Sequence, residues 1–215
     1  MTLDGDAIVT NHFDNYNWQD EEYIIISLVV INESKIFLSL YNHPSTIIYK
    51  KDVSTGSLST YETSCSNKVY FKTFKNELHA LFLDSGHWKY SPDLAELNEL
   101  CQSTGRTCKF SNDADLNPII DFAVLLEETV FLRSSFVTQS SSLGYCSREN
   151  VVDDAMLSGN PYVSHITHLS DGVSFVAVEI LRNTTARKLL VYKNIKNSGK
   201  HSIYEAEYTF GVCMI

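Results

Sequence analysis

His165 and His168 lie three residues apart in the run Tyr162 to Leu169, which is the spacing H-x-x-H. Side chains alternate faces along a strand, so an odd separation sends the two rings to opposite sides. They cannot share a metal there without a bulge. Asp113-Ala-Asp115-Leu-Asn117 has the opening spacing of a calcium loop. However, Pro118 stands where the sharp-turn glycine belongs and Val124 where the bidentate glutamate belongs. The stretch therefore reads as a turn with capping side chains. The acidic pairs Glu127-Glu128 and Asp153-Asp154 are adjacent in sequence. In a strand such neighbours diverge, which describes solvated turns better than an acid/base dyad. GxSxG, GxGxxG, a Walker loop and HExxH are all absent, and Gly172-Val-Ser174 lacks the second glycine of a nucleophile elbow. No catalytic residue, metal-ligand set or cofactor site is read from these patterns.

The five cysteines include no CxxC pair, which argues against a zinc ribbon or a thioredoxin-type redox site. Cys101 and Cys108 bracket the short polar loop QSTGRT. In an oxidising compartment they would make a natural small disulfide, and in cytosol they would be two thiols. Sequons at Asn32-Glu-Ser34 and Asn183-Thr-Thr185 make Asn32 and Asn183 glycosylation candidates, at a frequency chance alone would supply.

The elements that must carry these residues are strands. The chain has 215 residues, ample for a sizeable core, and is 44% hydrophobic and 12% aromatic. Its formal net charge of −9 repels phosphate backbones and anionic membrane surfaces, so nucleic acid and membrane contact are not expected. The first twenty residues are polar and acidic, unlike a secretory signal. The longest apolar run, Tyr23 to Ile31, is about half the ~20 residues of a membrane span.

The stretch Glu77 to Asp93, ELHALFLDSGHWKYSPD, has a layout that recurs. A polar turn leads into an apolar strand, a second turn follows, and a return strand carries a tyrosine. The opening turns are Asn32-Glu-Ser34, Lys75-Asn-Glu77, Glu127-Glu-Thr129 and Ser170-Asp-Gly172, and the tyrosines are Tyr49, Tyr90, Tyr145 and Tyr192. Those tyrosines are 41, 55 and 47 residues apart, the spacing of four-stranded propeller blades. Trp88 and the tyrosines could stack on sugars or bases, but recurrence at one position of each unit favours packing between blades.

In chain order, residues 1–22 read as a leader or loosely docked segment and 23–215 as a partial propeller. Tyr23 to Ile31 is an inner strand covered on both faces. Asp93 to Leu100, DLAELNEL, suits a short helix by propensity or an outer strand by position and is taken as the strand, Cys101 to Leu116 is a polar loop, and Thr138 to Ser142 is a Ser-rich hairpin loop. Ile203 to Phe210 alternates like a strand with one wet face. The fold class expected is all-β, a partial β-propeller of about four four-stranded antiparallel blades.

Within this frame Val69 to Ile180 resembles the opening, N-terminal part of a sema domain, of the plexin kind more than the semaphorin kind. The residues that carry the likeness are Tyr90-Ser-Pro-Asp-Leu94, the Cys101 and Cys108 pair, Asp113, Asn117, the apolar run Ile119 to Leu126, and Cys146. SHITHLSDGVSFVAVEI resembles the strand pair that follows. The family's cysteine before the Ser-rich loop is replaced at about Ser134 or Ser135, which leaves Cys146 without its usual partner. A complete sema ring has seven blades and more than twice this length, and the unit Tyr23 to Tyr61 has no counterpart before the family's first blade.

The resemblance implies a non-catalytic, extracellular protein-binding module, a fragment of a plexin-like receptor ectodomain whose partner is a semaphorin-like protein. The ligand-binding residues are not identified by it. Two readings stand beside it: a propeller or β-sandwich hydrolase acting on glycans, with acids such as Asp121, Glu127 and Glu128, and an intracellular β scaffold with reduced cysteines, which would be cytoplasmic.

Overall fold

A computed structural model describes residues 24–42, 44–63, 68–84, 86–100, 108–111, 118–135, 137–147, 151–156, 161–181, 187–193 and 202–206. The leader expected over 1–22, the stretches 101–107 and 112–117 of the expected loop, and Asn183 lie outside them.

Among the described residues sixteen strands form four four-stranded antiparallel sheets, each taking four consecutive strands in chain order. The first comprises β1 (Ile24–Ile31), β2 (Lys35–Asn42), β3 (Ser45–Asp52) and β4 (Leu58–Thr63). The second comprises β5 (Val69–Phe74), β6 (Glu77–Asp84), β7 (His87–Ser91) and β8 (Lys109–Ser111). The third is β9 (Ile119–Val124), β10 (Glu128–Ser135), β11 (Ser140–Ser147) and β12 (Val151–Met156). The fourth is β13 (Val163–His168), β14 (Ser174–Ile180), β15 (Arg187–Lys193) and β16 (Ser202–Ala206). This is the all-β, propeller-blade architecture expected, and the four tyrosines fall where the repeat puts them. Tyr49, Tyr90, Tyr145 and Tyr192 each lie on the third strand of their sheet and are each buried.

Local chemistry explains the hairpins. Asn32 and Glu33 have φ of 50° and 55°, and Lys75 and Asn76 have φ of 51° and 65°. Two successive left-handed residues make the turn whose twist matches that of the flanking strands. In the first case the Ser34 amide donates to the Ile31 carbonyl at 3.1 Å. At the β13–β14 turn, Gly172 takes φ 69° while the Asp171 carboxylate accepts from the amides of Val173 and Ser174.

The chain divides into two compact units, residues 1–85 with 91–105, and residues 86–90 with 106–215. In the first, Val29 and Ile31 of β1, Phe37, Ile48, Val69, Phe71, Leu78, Ala80 and Phe82 form one core, closed by Leu94, Leu97 and Leu100. Buried Ser39 and half-buried Ser27 supply polar contacts between its strands. Ser39 Oγ donates to the Val69 carbonyl at 2.7 Å, and the Phe71 amide donates to Ser27 Oγ at 2.9 Å. In the second unit the core runs from Ala123, Val130, Leu132, Leu143 and Tyr145 to Val163, Ile166, Phe175, Ala177, Leu190 and Tyr192.

Four expectations are corrected here. Asp93 to Leu100 is no strand: Leu97–Glu99 forms a 3-10 turn, and Leu94, Leu97 and Leu100 point into the core at that helix's three-residue period. The fourth strand of the second sheet is β8, inside the stretch expected to be loop. Ser140 to Ser142 belong to β11 and not to a loop, and residues 137–139 before them form a turn. Their register explains it: Ser141 is opposite Ser134, the two hydroxyls share a hydrogen bond of 2.7 Å, and both reach the backbone of Val163. β1 is also less enclosed than expected. Val29 and Ile31 turn toward the core, while Leu28 and Val30 alternate to the other side and are exposed, as are Ile24 and Ile25.

Candidate functional site

Cys108 is buried and is joined in a disulfide to Cys146 of β11. Their Cα atoms are 6.1 Å apart, within ordinary bridging range. The Cys108 carbonyl also accepts from the Tyr90 amide at 3.3 Å, which anchors the start of β8 beside β7. This corrects the expected Cys101–Cys108 bridge, because a sulfur bonded to Cys146 cannot also bond Cys101, and Cys101 lies outside the described residues. It also gives Cys146 the partner that the family pattern left missing. The aromatic residues beside the bridge are packed, with Tyr90 in edge contact with Phe122 and Phe131 at ring separations of 6.1 and 5.8 Å. Phe175 and Tyr192 stack at 5.1 Å. Burial pushes the Tyr145 hydroxyl far above the usual phenol range, and the charges of Glu128 and Tyr192 add to it. These rings therefore serve as packing and not as a stacking platform for ligands.

Asp121 of β9 is a buried carboxylate held by backbone amides. Oδ1 accepts from the Phe122 amide at 2.9 Å, and Oδ2 accepts from the Ile166 amide at 3.0 Å. His165 Nδ1 stands 3.4 Å from the same Oδ2, with the Asp121 side chain buried and the His165 ring mostly exposed. The carboxylate thus ties β9 to β13. His165 and His168 are not brought to a common centre, since His165 turns to Asp121 and lies in solvent while His168 is half-buried. Glu127 is exposed at the β9–β10 turn and Glu128 is half-buried at the start of β10. Asp153 and Asp154 lie in β12, and Asp113 to Asn117 lie outside the described residues. Asn32 occupies an exposed turn, accessible to modification, and Asn183 is outside the described residues.

A third cluster was not foreseen. Glu77 and His79 of β6 and Asp93 place one ligand-type atom each within 4.8 Å of one another. His79 is buried, its Nε2 lies 3.8 Å from Asp93 Oδ1, and its ring meets the Phe74 ring edge-on at 6.4 Å. Glu77 and Asp93 are exposed. Hydrogen bonding to Asp93, then the Asp93 charge, then lost hydration hold the Glu77 carboxyl above its ordinary range, against the opposing pull of Lys75. The available signal was Glu-x-His in a strand, which puts both side chains on one face. Nothing in the sequence brought Asp93 to them.

No protein-family model matches the sequence, and no curated protein matches it. Solved structures do resemble the fold. The β-propeller domain of the trilobed protease from Pyrococcus furiosus, described as having an open velcro topology, superposes with a TM-score of 0.52 at 9% identity, covering 86% of this chain and 55% of that one. A prolyl endopeptidase gives 0.53 at 12% identity over 88% of this chain and 27% of the other. Hydrazine synthase from Kuenenia stuttgartiensis gives 0.52 at 7% identity over 90% and 70%. This chain thus spans about half of the first of these and about a quarter of the second. At such identities the likeness is one of fold, and the four sheets are blades of a β-propeller.

Proposed function

We propose that this chain is a non-catalytic protein-binding module, part of the extracellular propeller of a plexin-like receptor whose ligand is a semaphorin-like protein. The Cys108–Cys146 bond carries the reading, because such bridges form and persist in oxidising compartments and are rare in cytosol. Two further features agree with it. Tyr90-Ser-Pro-Asp-Leu94 begins in the last residues of β7 and leads toward the 3-10 turn. Asp121, one of the acids offered for a glycan hydrolase, is committed to backbone amides. Blade loops on a rigid scaffold are where binding residues concentrate.

The test has two parts. The chain, produced in a secretory host, is digested without reductant, and peptide mapping is expected to recover Cys108 linked to Cys146. It is then immobilised and exposed to purified semaphorin ectodomains, with saturable binding expected. Alkylation of both cysteines in untreated native protein would remove the extracellular reading and favour the intracellular scaffold. Turnover of simple glycosides, lost in Glu127→Gln or Glu128→Gln, would replace it with the hydrolase.

A further inference from the structure

We infer that Glu77, His79 and Asp93 bind a divalent transition-metal cation of the zinc class, which clamps the segment after β7 onto β6. The inference is independent of the receptor reading. Geometry assembles the site from two directions. Glu77 and His79 are alternate residues of β6 and share a face. The Leu94 amide donates to the Leu78 carbonyl at 2.7 Å, which fixes the neighbouring Asp93 alongside the residue between them. Asp93 itself takes φ 49°, a left-handed conformation that aspartate tolerates better than most side chains.

The donor set selects the cation. One imidazole nitrogen with two carboxylates suits zinc and its neighbours, whereas magnesium and calcium prefer oxygen alone. The imidazole is held in advance: His79 is more than nine-tenths buried, wedged edge-on against Phe74, with Nε2 directed at the Asp93 carboxylate. Bonds of zinc length in a tetrahedron put ligand atoms about 3.4 Å apart. The 3.8 Å between His79 and Asp93 is close to that, and the exposed carboxylates of Glu77 and Asp93 are free to close the remainder of the 4.8 Å spread. A fourth position remains for water or for a donor from a partner.

The experiment is calorimetric titration of the full chain with zinc chloride at neutral pH, after chelator treatment and alkylation of free thiols. One zinc per chain is expected, undisplaced by an equal concentration of magnesium. Glu77→Gln and Asp93→Asn alter exposed side chains, and asparagine keeps the left-handed backbone, so both variants should retain the native circular dichroism. Each is expected to weaken zinc binding by about tenfold or more. Absence of binding up to millimolar zinc would overturn the inference. So would unchanged affinity in the variant carrying both substitutions, since zinc would then be bound elsewhere, and equal competition by magnesium would overturn the zinc class.

Discussion

Asp121 and Glu77 are both carboxylates on strands, yet their surroundings give them opposite consequences. Asp121 is buried and accepts hydrogen bonds from two backbone amides, including the Ile166 amide on β13. Asp121→Ala would leave those amides without their acceptor, at about 1–3 kcal/mol for each one buried. The expected outcome is a chemical-denaturation midpoint well below that of the parent chain, whatever the chain's activity. Glu77 behaves the other way. Its folded-state carboxyl titrates above the ordinary value of 4.5, so the folded state holds the proton more tightly than the unfolded one. Stability should therefore decline as pH rises from about 4.5 through the raised value and level off above it. In chelator, Glu77→Gln should abolish that decline, as read from urea midpoints at acid and neutral pH. Neither behaviour was legible in the sequence. Asp121 stood among candidate acids because a carboxylate's type says nothing of which ring or backbone amide it will meet 44 and 45 residues away. Glu77, His79 and Asp93 went unremarked because a turn of the chain, and not their spacing, brings them together.

Elements were read more faithfully than residues, and the exceptions share a cause. The polar turns at Asn32-Glu33 and Lys75-Asn76 were visible because left-handed pairs tolerate few residue types, and asparagine is one. The third-strand tyrosines were visible because each blade repeats one burial problem. The serines of β11 misled because a Ser-rich run resembles a loop in composition, whereas here Ser141 and Ser134 serve the amide and carbonyl of Val163 inside a core. DLAELNEL misled similarly: its leucines at intervals of three suit neither the period of a strand nor a long helix, but do suit one turn of 3-10 helix. That turn closes the core of the first unit, so Leu97→Ala should cost about 2–4 kcal/mol, near the lower part of the range for a buried leucine. Thermal unfolding should register it. An outer strand exposed on one face would have tolerated the change at this position, and an unaltered melting temperature would restore that earlier reading.

For the whole molecule the sequence defined what kind of fold this is but not how it is fastened. Period, turn chemistry and β-branched strands together indicate blades, and the four consecutive meanders agree. The fastening differs from expectation because cysteine pairing depends on which strands become neighbours, and adjacency in sequence favoured Cys101 over Cys146 as the partner of Cys108. The consequence is energetic as well as topological. A bridge between cysteines 38 residues apart removes more freedom from the unfolded chain, by about 1.5 kcal/mol, than one between Cys101 and Cys108, seven positions apart. On the chain-entropy account the longer loop is worth about 4 kcal/mol. Cys146→Ser should therefore lower the denaturation midpoint of the oxidised protein by an amount approaching that figure. Reductant should bring the parent chain down to the level of the variant and leave the variant itself unchanged. If Cys101 and Cys108 were the linked pair, Cys146→Ser would instead leave the response to reductant intact.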